Sequence, residues 1–251
     1  MPDLFSLLPS LAQVSHPLLE GQRIVVVGVS AVLYDEHAFI FEVTRPRHWG
    51  RTENGRPIVG VGGIGGRIEP GEGAVACLRR EVREEISTDF RLEPRQATVS
   101  VCDGEMEGWL DERNEMGQPV PYMINLLPPQ IHRFEQQDHV AIVTFRGHVQ
   151  GQTRLADVFG LLSVEHSALL AFFERDEWTI EDASALRSVG LRLTQDLPAD
   201  AVVRPTLTAR AFRVLAMTWA TTESLTGMPL HQVSGSSNAS PSSTAWPSLS
   251  S

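Results

Sequence analysis

Hydrophobic positions along this chain follow two rhythms. From Ile24 to Leu33 and from Ala38 to Val43 the residues are apolar and largely β-branched, broken by Tyr34-Asp35-Glu36-His37, which is how a hairpin reads. Residues 97–102, 120–127 and 139–149 carry the same texture and predict further strands, while 58–66 reads as a Gly-rich extended stretch. Over Gly73–Ile86 the rhythm changes. Val75, Leu78, Val82 and Ile86 recur at helical spacing, predicting a helix with one apolar stripe against a core. Beyond Arg154 the texture turns helical, with helices expected over 164–174, 181–188 and 207–222, and with Trp178 and Trp219 as core residues.

This order of elements predicts an α/β domain over residues 22–165, a helical C-terminal extension over 166–232, and two flanking segments. Residues 1–21, with scattered Leu and three prolines, form an arm that docks on the domain or frays. Residues 233–251 are Ser-rich, uncharged and aperiodic, and are expected to be disordered. The extension is expected to cover the domain or to form an oligomer interface, such as that of a homodimer.

Composition narrows the chemistry. The 251 residues carry a formal charge of -10, and all 21 positive side chains are Arg. Without lysine there is no Schiff-base catalysis, pyridoxal-phosphate attachment or Walker-type phosphate loop, so phosphate must be held by Arg, backbone amides or a metal. The acidic balance argues against a broad nucleic-acid footprint, and the expected 207–222 helix offers only Arg210 and Arg213 to DNA. Two cysteines, Cys77 and Cys102, are too few for a disulfide framework and read as packing residues. The apolar run at 24–33 is too short to span a membrane, and a cytoplasmic protein is expected. About half of the net charge falls on 103–117, which reads as an acidic surface loop.

The informative stretch is Gly65-Gly66-Arg67-Ile68-Glu69-Pro70-Gly71-Glu72, followed after seven residues by Arg80-Glu81-Val82-Arg83-Glu84-Glu85-Ile86-Ser87-Thr88. Glu81, Glu84 and Glu85 stand at i, i+3 and i+4, on one helical face turned away from the apolar stripe. Like charges so spaced cost an isolated helix a few tenths of a kcal/mol per pair, a cost that a bound cation removes. Carboxylates without His or Cys suit Mg²⁺ or Mn²⁺. Pro70-Gly71 marks a turn that brings Glu72 and backbone carbonyls toward the same point.

These residues resemble the signature of the Nudix hydrolases. Gly66, Glu72, Arg80, Glu81, Val82, Glu84 and Glu85 match it. Ser87 and Thr88 depart from it where the family ends its helix on glycine, which bears on the exit of the helix. The six non-aliphatic matches would coincide by composition at on the order of 10⁻⁷ per start position. The resemblance implies an α/β/α sandwich around a mixed β-sheet. It implies that Glu81, Glu84, Glu85 and Gly66 hold Mg²⁺ or Mn²⁺, that Glu72 joins through metal or water, and that Arg80 positions the carboxylates. Water would attack phosphorus in a nucleoside diphosphate linked to another group. A metabolite-binding sensor of the same fold is the alternative.

Three readings lie outside the signature. Arg45, Arg47 and Arg51 can hold phosphate while Trp49 or His48 stacks on a ring; a solvated basic turn is the alternative. Gly60-Val61-Gly62-Gly63-Ile64-Gly65 fits the dinucleotide formula, but no helix opens at its last glycine, so close approach of strands or substrate is the expected use. The general base stays open among a box glutamate, Glu135, Asp138 and Asp157, because Phe145–Ala156 contains no acid.

Overall fold

The computed structural model describes residues 1–13, 19, 23–94, 97–102, 105–111, 119–127 and 139–221. Asp3 caps a one-turn helix, α1 (Leu4–Leu7), by accepting from the Phe5 N–H at 2.9 Å. Leu4, Leu8 and Leu11 are buried in the main core, so the described part of the arm docks.

The chain then enters β1 (Ile24–Tyr34), turns at Asp35 and returns as β2 (Ala38–Val43). The Asp35 carboxylate accepts from the His37 and Ala38 N–H groups at 2.8 and 2.9 Å, a turn an Asp side chain makes from its own chemistry. After a 3₁₀ turn at Pro46–His48 come β3 (Gly50–Arg51), β4 (Pro57–Gly62) and β5 (Ile64–Gly66). The signature helix is α2 (Ala74–Ile86). Four strands follow, β6 (Asp89–Leu92), β7 (Ala97–Cys102), β8 (Glu105–Asp111) and β9 (Met123–Leu127), and then the long β10 (His139–Gln150). β11 (Gly160–Glu165), α3 (Leu169–Phe173), β12 (Trp178–Thr179), α4 (Ile180–Ala185), β13 (Val189–Leu193), β14 (Val202–Pro205) and α5 (Leu207–Thr221) complete the described chain.

The strands form one mixed sheet in the order β12-β14-β4-β2-β1-β10-β9-β7-β8, with the others paired beside this path. β1 and β10 run parallel at its centre, from Ile24↔His139 to Tyr34↔His148. Buried on both faces, they need the near-continuous apolar runs seen in the sequence. One face carries α2, whose Cys77, Leu78, Val82 and Ile86 pack with Val29, Ala31, Ile64 and Phe145. Each fully buried stripe residue contributes about 1.5–3 kcal/mol. The other face carries α3 and α5, with Phe172, Phe173, Phe212 and Leu215 against Phe41, Val59, Val61 and Tyr122. The result is the expected α/β/α sandwich.

Two regions differ from the sequence pattern. The expected acidic loop contains β8, paired antiparallel to β7 with a bulge, and anchored by Leu110 in the α2-side core and by Met106 against the core of the other face. Strands also lie between the C-terminal helices. β13 pairs with β11 through the alternation Val189, Leu191, Leu193, and β14 runs parallel to β4. α5 lies over the sheet, so this part of the extension covers the domain. Trp178 is buried and stacks on Phe172 at 5.7 Å, as a core residue should. The side chain of Trp219 and residues 222–251 lie outside the described residues. No helix among the described residues is long and apolar enough to cross a membrane.

Candidate active site

The site forms where β5 and the following loop pass the carboxylate face of α2. Pro70-Gly71 makes the expected turn, with Gly71 at φ 82, a left-handed conformation glycine adopts without a Cβ penalty. A Cβ on Gly66 would overlap the Glu81 carboxylate, so only glycine lets this side chain lie on the loop backbone. That contact is the physical use of the first glycine in the signature.

Arg80 ties the loop to the helix. Its Nε and Nη2 donate to the two oxygens of Glu72 at 3.0 Å each, a bidentate fork only guanidinium provides. Nη1 donates to Glu81 Oε1 at 2.8 Å and to Glu84 Oε2 at 3.2 Å, and Nη2 to the Arg67 carbonyl at 3.1 Å. The hydrogen bond from Arg80 holds the Glu72 carboxyl below its ordinary range, and the same bonds raise the Arg80 pKa.

Glu85 stands apart. Its carboxylate accepts from the Gly65 N–H at 3.2 Å. Burial pushes its pKa up to about 9, with Glu42 and Glu81 adding repulsion. Glu42, on β2, is the site residue the sequence reading missed. Burial pushes it up to about 7, with Glu81 and Asp157 raising it and Arg45 opposing. A signal was present: Glu42 is the one charge in the apolar run Ala38–Val43, where Phe39, Phe41 and Val43 fill the α3–α5 face. It alternates with them and falls on the side of Ile40, which joins the α2 core.

The loop after β10 seals the C-terminal end of α2. Arg154, Ala156 and Asp157 N–H groups donate to the carbonyls of Ile86, Glu85 and Glu84 at 3.0–3.1 Å, satisfying acceptors a helix end leaves open. This sets Asp157 beside Arg45, whose Nη2 donates to the Asp157 carbonyl at 2.6 Å and carboxylate at 2.7 Å. Ser87 takes the left-handed exit conformation, φ 52 and ψ 36, that the signature gives to glycine. The helix therefore ends where the signature ends it.

Of the other expected phosphate and ring contacts, only Arg45 borders the carboxylates. Arg47 is exposed and bonds to His48, and Arg51 donates to the Gly55 carbonyl at 2.7 Å. Trp49 donates to the Thr44 carbonyl at 2.7 Å and packs edge-on against Phe159. Cys77 is buried on the core side of α2, and its thiol is pushed up to about 12, first by burial and then by Glu72. Glu135 and Asp138 lie outside the described residues.

The residues fit a hard divalent cation in kind: carboxylates of Glu81, Glu84 and Glu85 and the Gly66 carbonyl are all oxygen donors. Among the described residues no three acidic, histidine or cysteine side chains yet converge as ion ligands. Arg80 draws Glu81 and Glu84 to itself, so ligation requires these side chains to turn.

The model of the NUDIX domain matches residues 25–185. The E. coli ORF135 protein is 13% identical over 61% of this chain and 81% of its own, with a TM-score of 0.34. A MutT NUDIX hydrolase from Burkholderia pseudomallei is 14% identical over 77% of this chain and 98% of its own, at 0.33. The MutT protein of Methanosarcina mazei Go1 is 16% identical over 55% and 73%, at 0.30. No curated protein matches the chain significantly. With the domain model spanning well over half of its length and the signature folded as loop and helix, the chain belongs to the NUDIX family.

Proposed function

We propose that the protein is a metal-dependent pyrophosphohydrolase cleaving a nucleoside diphosphate linked to another group, such as a nucleotide sugar, a dinucleotide or a nucleoside triphosphate. The observation that carries this reading is the signature cluster itself: Glu81, Glu84 and Glu85 on one face of α2, with Arg80 tying Glu81 and Glu84 to Glu72. Glu81, Glu84, Glu85 and the Gly66 carbonyl would hold Mg²⁺ or Mn²⁺. A cation held there supplies charge neutralisation at the phosphate oxygens and lowers the pKa of water.

The chain's own groups do the rest. Arg45, at the border of the carboxylates, binds a phosphate oxygen through the guanidinium edge it now gives to Asp157. Glu81 and Glu84 are braced by Arg80 in its charged form. Among the described residues Glu85 makes no ion pair, and the Gly65 N–H holds it near the loop; with a cation offsetting the burial and repulsion that raise it, its carboxylate takes a proton from the attacking water. Asp157 is turned to Arg45 with its side chain 77% exposed, a poorer position for that task.

The test is a panel of nucleotide sugars, dinucleotides, nucleoside triphosphates and a prenyl diphosphate, incubated with protein and Mg²⁺ and resolved chromatographically. Turnover of one nucleotide class, abolished by the Glu84→Gln/Glu85→Gln double variant, is the expected result. Tight binding without turnover favours the sensor instead. Turnover unchanged in the double variant removes the site assignment.

A further inference from the structure

Glu42 carries the further inference. It comes from β2, outside the signature, in register with Gly62 on β4 and Leu161 on β11. Its side chain leaves β2 on the side of Ile40, toward the α2 core, where Glu81 lies on the Gly66 backbone and Glu85 accepts from the Gly65 N–H; among the described residues its carboxylate accepts no hydrogen bond, and it feels the charges of Glu81, Glu85 and Asp157. Arg45 is the cation nearest in effect, and it is committed to Asp157 at 2.7 Å. Arg80, the other guanidinium of the site, is spent on Glu72, Glu81 and Glu84.

A largely buried carboxylate without a donor, facing two more carboxylates, is unfavourable by desolvation and by repulsion together. An apolar residue would satisfy β2 at this position, since Ile40, two residues earlier on the same face, is a core residue. The arrangement has a physical use when a cation sits between the sheet and α2. Resting on the pyrophosphohydrolase reading above, we infer that Glu42 is an additional carboxylate of the cation site, contributed by the sheet. Carboxylates for the ion would then come both from the signature helix and from β2. This also answers the lack of an acid in Phe145–Ala156, because the extra carboxylate arrives from β2 instead.

The experiment is Mn²⁺ binding by calorimetry to the full chain without substrate, in wild type, Glu42→Gln, Glu85→Gln and the exposed control Glu174→Gln, with thermal melting in parallel. Glu42→Gln is expected to weaken Mn²⁺ binding by about ten-fold or more, while Glu174→Gln leaves it unchanged. In the metal-free state at pH 8, Glu42→Gln should melt no lower than wild type, because it removes a repelling charge, yet gain less from added Mn²⁺. A Glu42→Gln variant that binds Mn²⁺ as wild type does, while Glu85→Gln binds weakly, overturns this inference and leaves the hydrolase reading standing. A wild type that binds no Mn²⁺ overturns both. Should Glu42→Gln melt well below wild type without metal, Glu42 is a structural residue and the inference fails.

Discussion

The five glutamates of the site fall into two groups that share residue type but not surroundings. Glu72, Glu81 and Glu84 are hydrogen-bonded to one guanidinium, Arg80, which fixes where they point. Glu42 and Glu85 have no such partner, and burial with mutual repulsion raises both. The contrast separates bracing from chemistry. Carboxylates with an internal counter-ion are positioned in the resting protein, and Glu81 and Glu84 would have to turn from Arg80 to meet a cation, whereas Glu42 and Glu85 have no guanidinium to leave.

The largest effect should follow from removing the unbraced box carboxylate. Glu85→Gln is expected to cut turnover by roughly 10²–10⁴-fold, measured on whichever substrate the panel identifies. Breaking the brace should cost less. Arg80→Gln is expected to reduce turnover by about 10–100-fold through misplaced carboxylates, and Arg80→Lys should recover little of it because an ammonium cannot reproduce the bidentate fork to Glu72. If Arg80→Lys restores full activity, the fork is not what matters.

The unbraced pair also sets a pH dependence. Both carboxyls titrate above their ordinary 4.5, so the folded chain holds these protons more tightly than the unfolded chain. Their stabilisation is full below about pH 4.5 and is lost as pH rises through about 7 for Glu42 and about 9 for Glu85. Melting of metal-free protein should therefore give falling midpoints from pH 6 to 9, and Mg²⁺ or Mn²⁺ should restore more at pH 9 than at pH 6. A metal-induced shift that is the same at both pH values would break the division between the two groups.

The smallest effect concerns the exit of α2. Ser87 holds a left-handed conformation that favours glycine, so Ser87→Gly is expected to stabilise the protein by about 0.5–1 kcal/mol in a denaturant titration, with turnover unchanged.

Much of this was legible in the sequence because it rests on local periodicity. The α2 stripe, the loop from Gly66 and the Arg80 cluster are encoded within 23 residues, so spacing alone puts them on one face. The central strands were legible because burial on both faces demands long apolar runs. Glu42 was not legible in the same way, since its approach to Glu81 and Glu85, 39 and 43 residues further on, is set by sheet register. β8 was hidden by acidic residues that occupy the outer positions of a strand, as Glu105 does. β13 and β14 were hidden because strands of five and four residues leave too short a pattern to read. Arg45, Arg47, Trp49 and Arg51 are adjacent in sequence but diverge in space, because the 3₁₀ turn at Pro46–His48 redirects the chain after Arg45.

The most direct test of the central claim is hydrolysis in H₂¹⁸O with Mg²⁺, reading the label on the phosphate-containing products by mass spectrometry. The account predicts one ¹⁸O on a phosphorus of one product from a nucleoside diphosphate derivative with wild-type protein, and no labelled product with Glu84→Gln/Glu85→Gln or with chelator. Labelled product formed equally by wild type and the double variant, or formed at full rate without divalent cation, would contradict it.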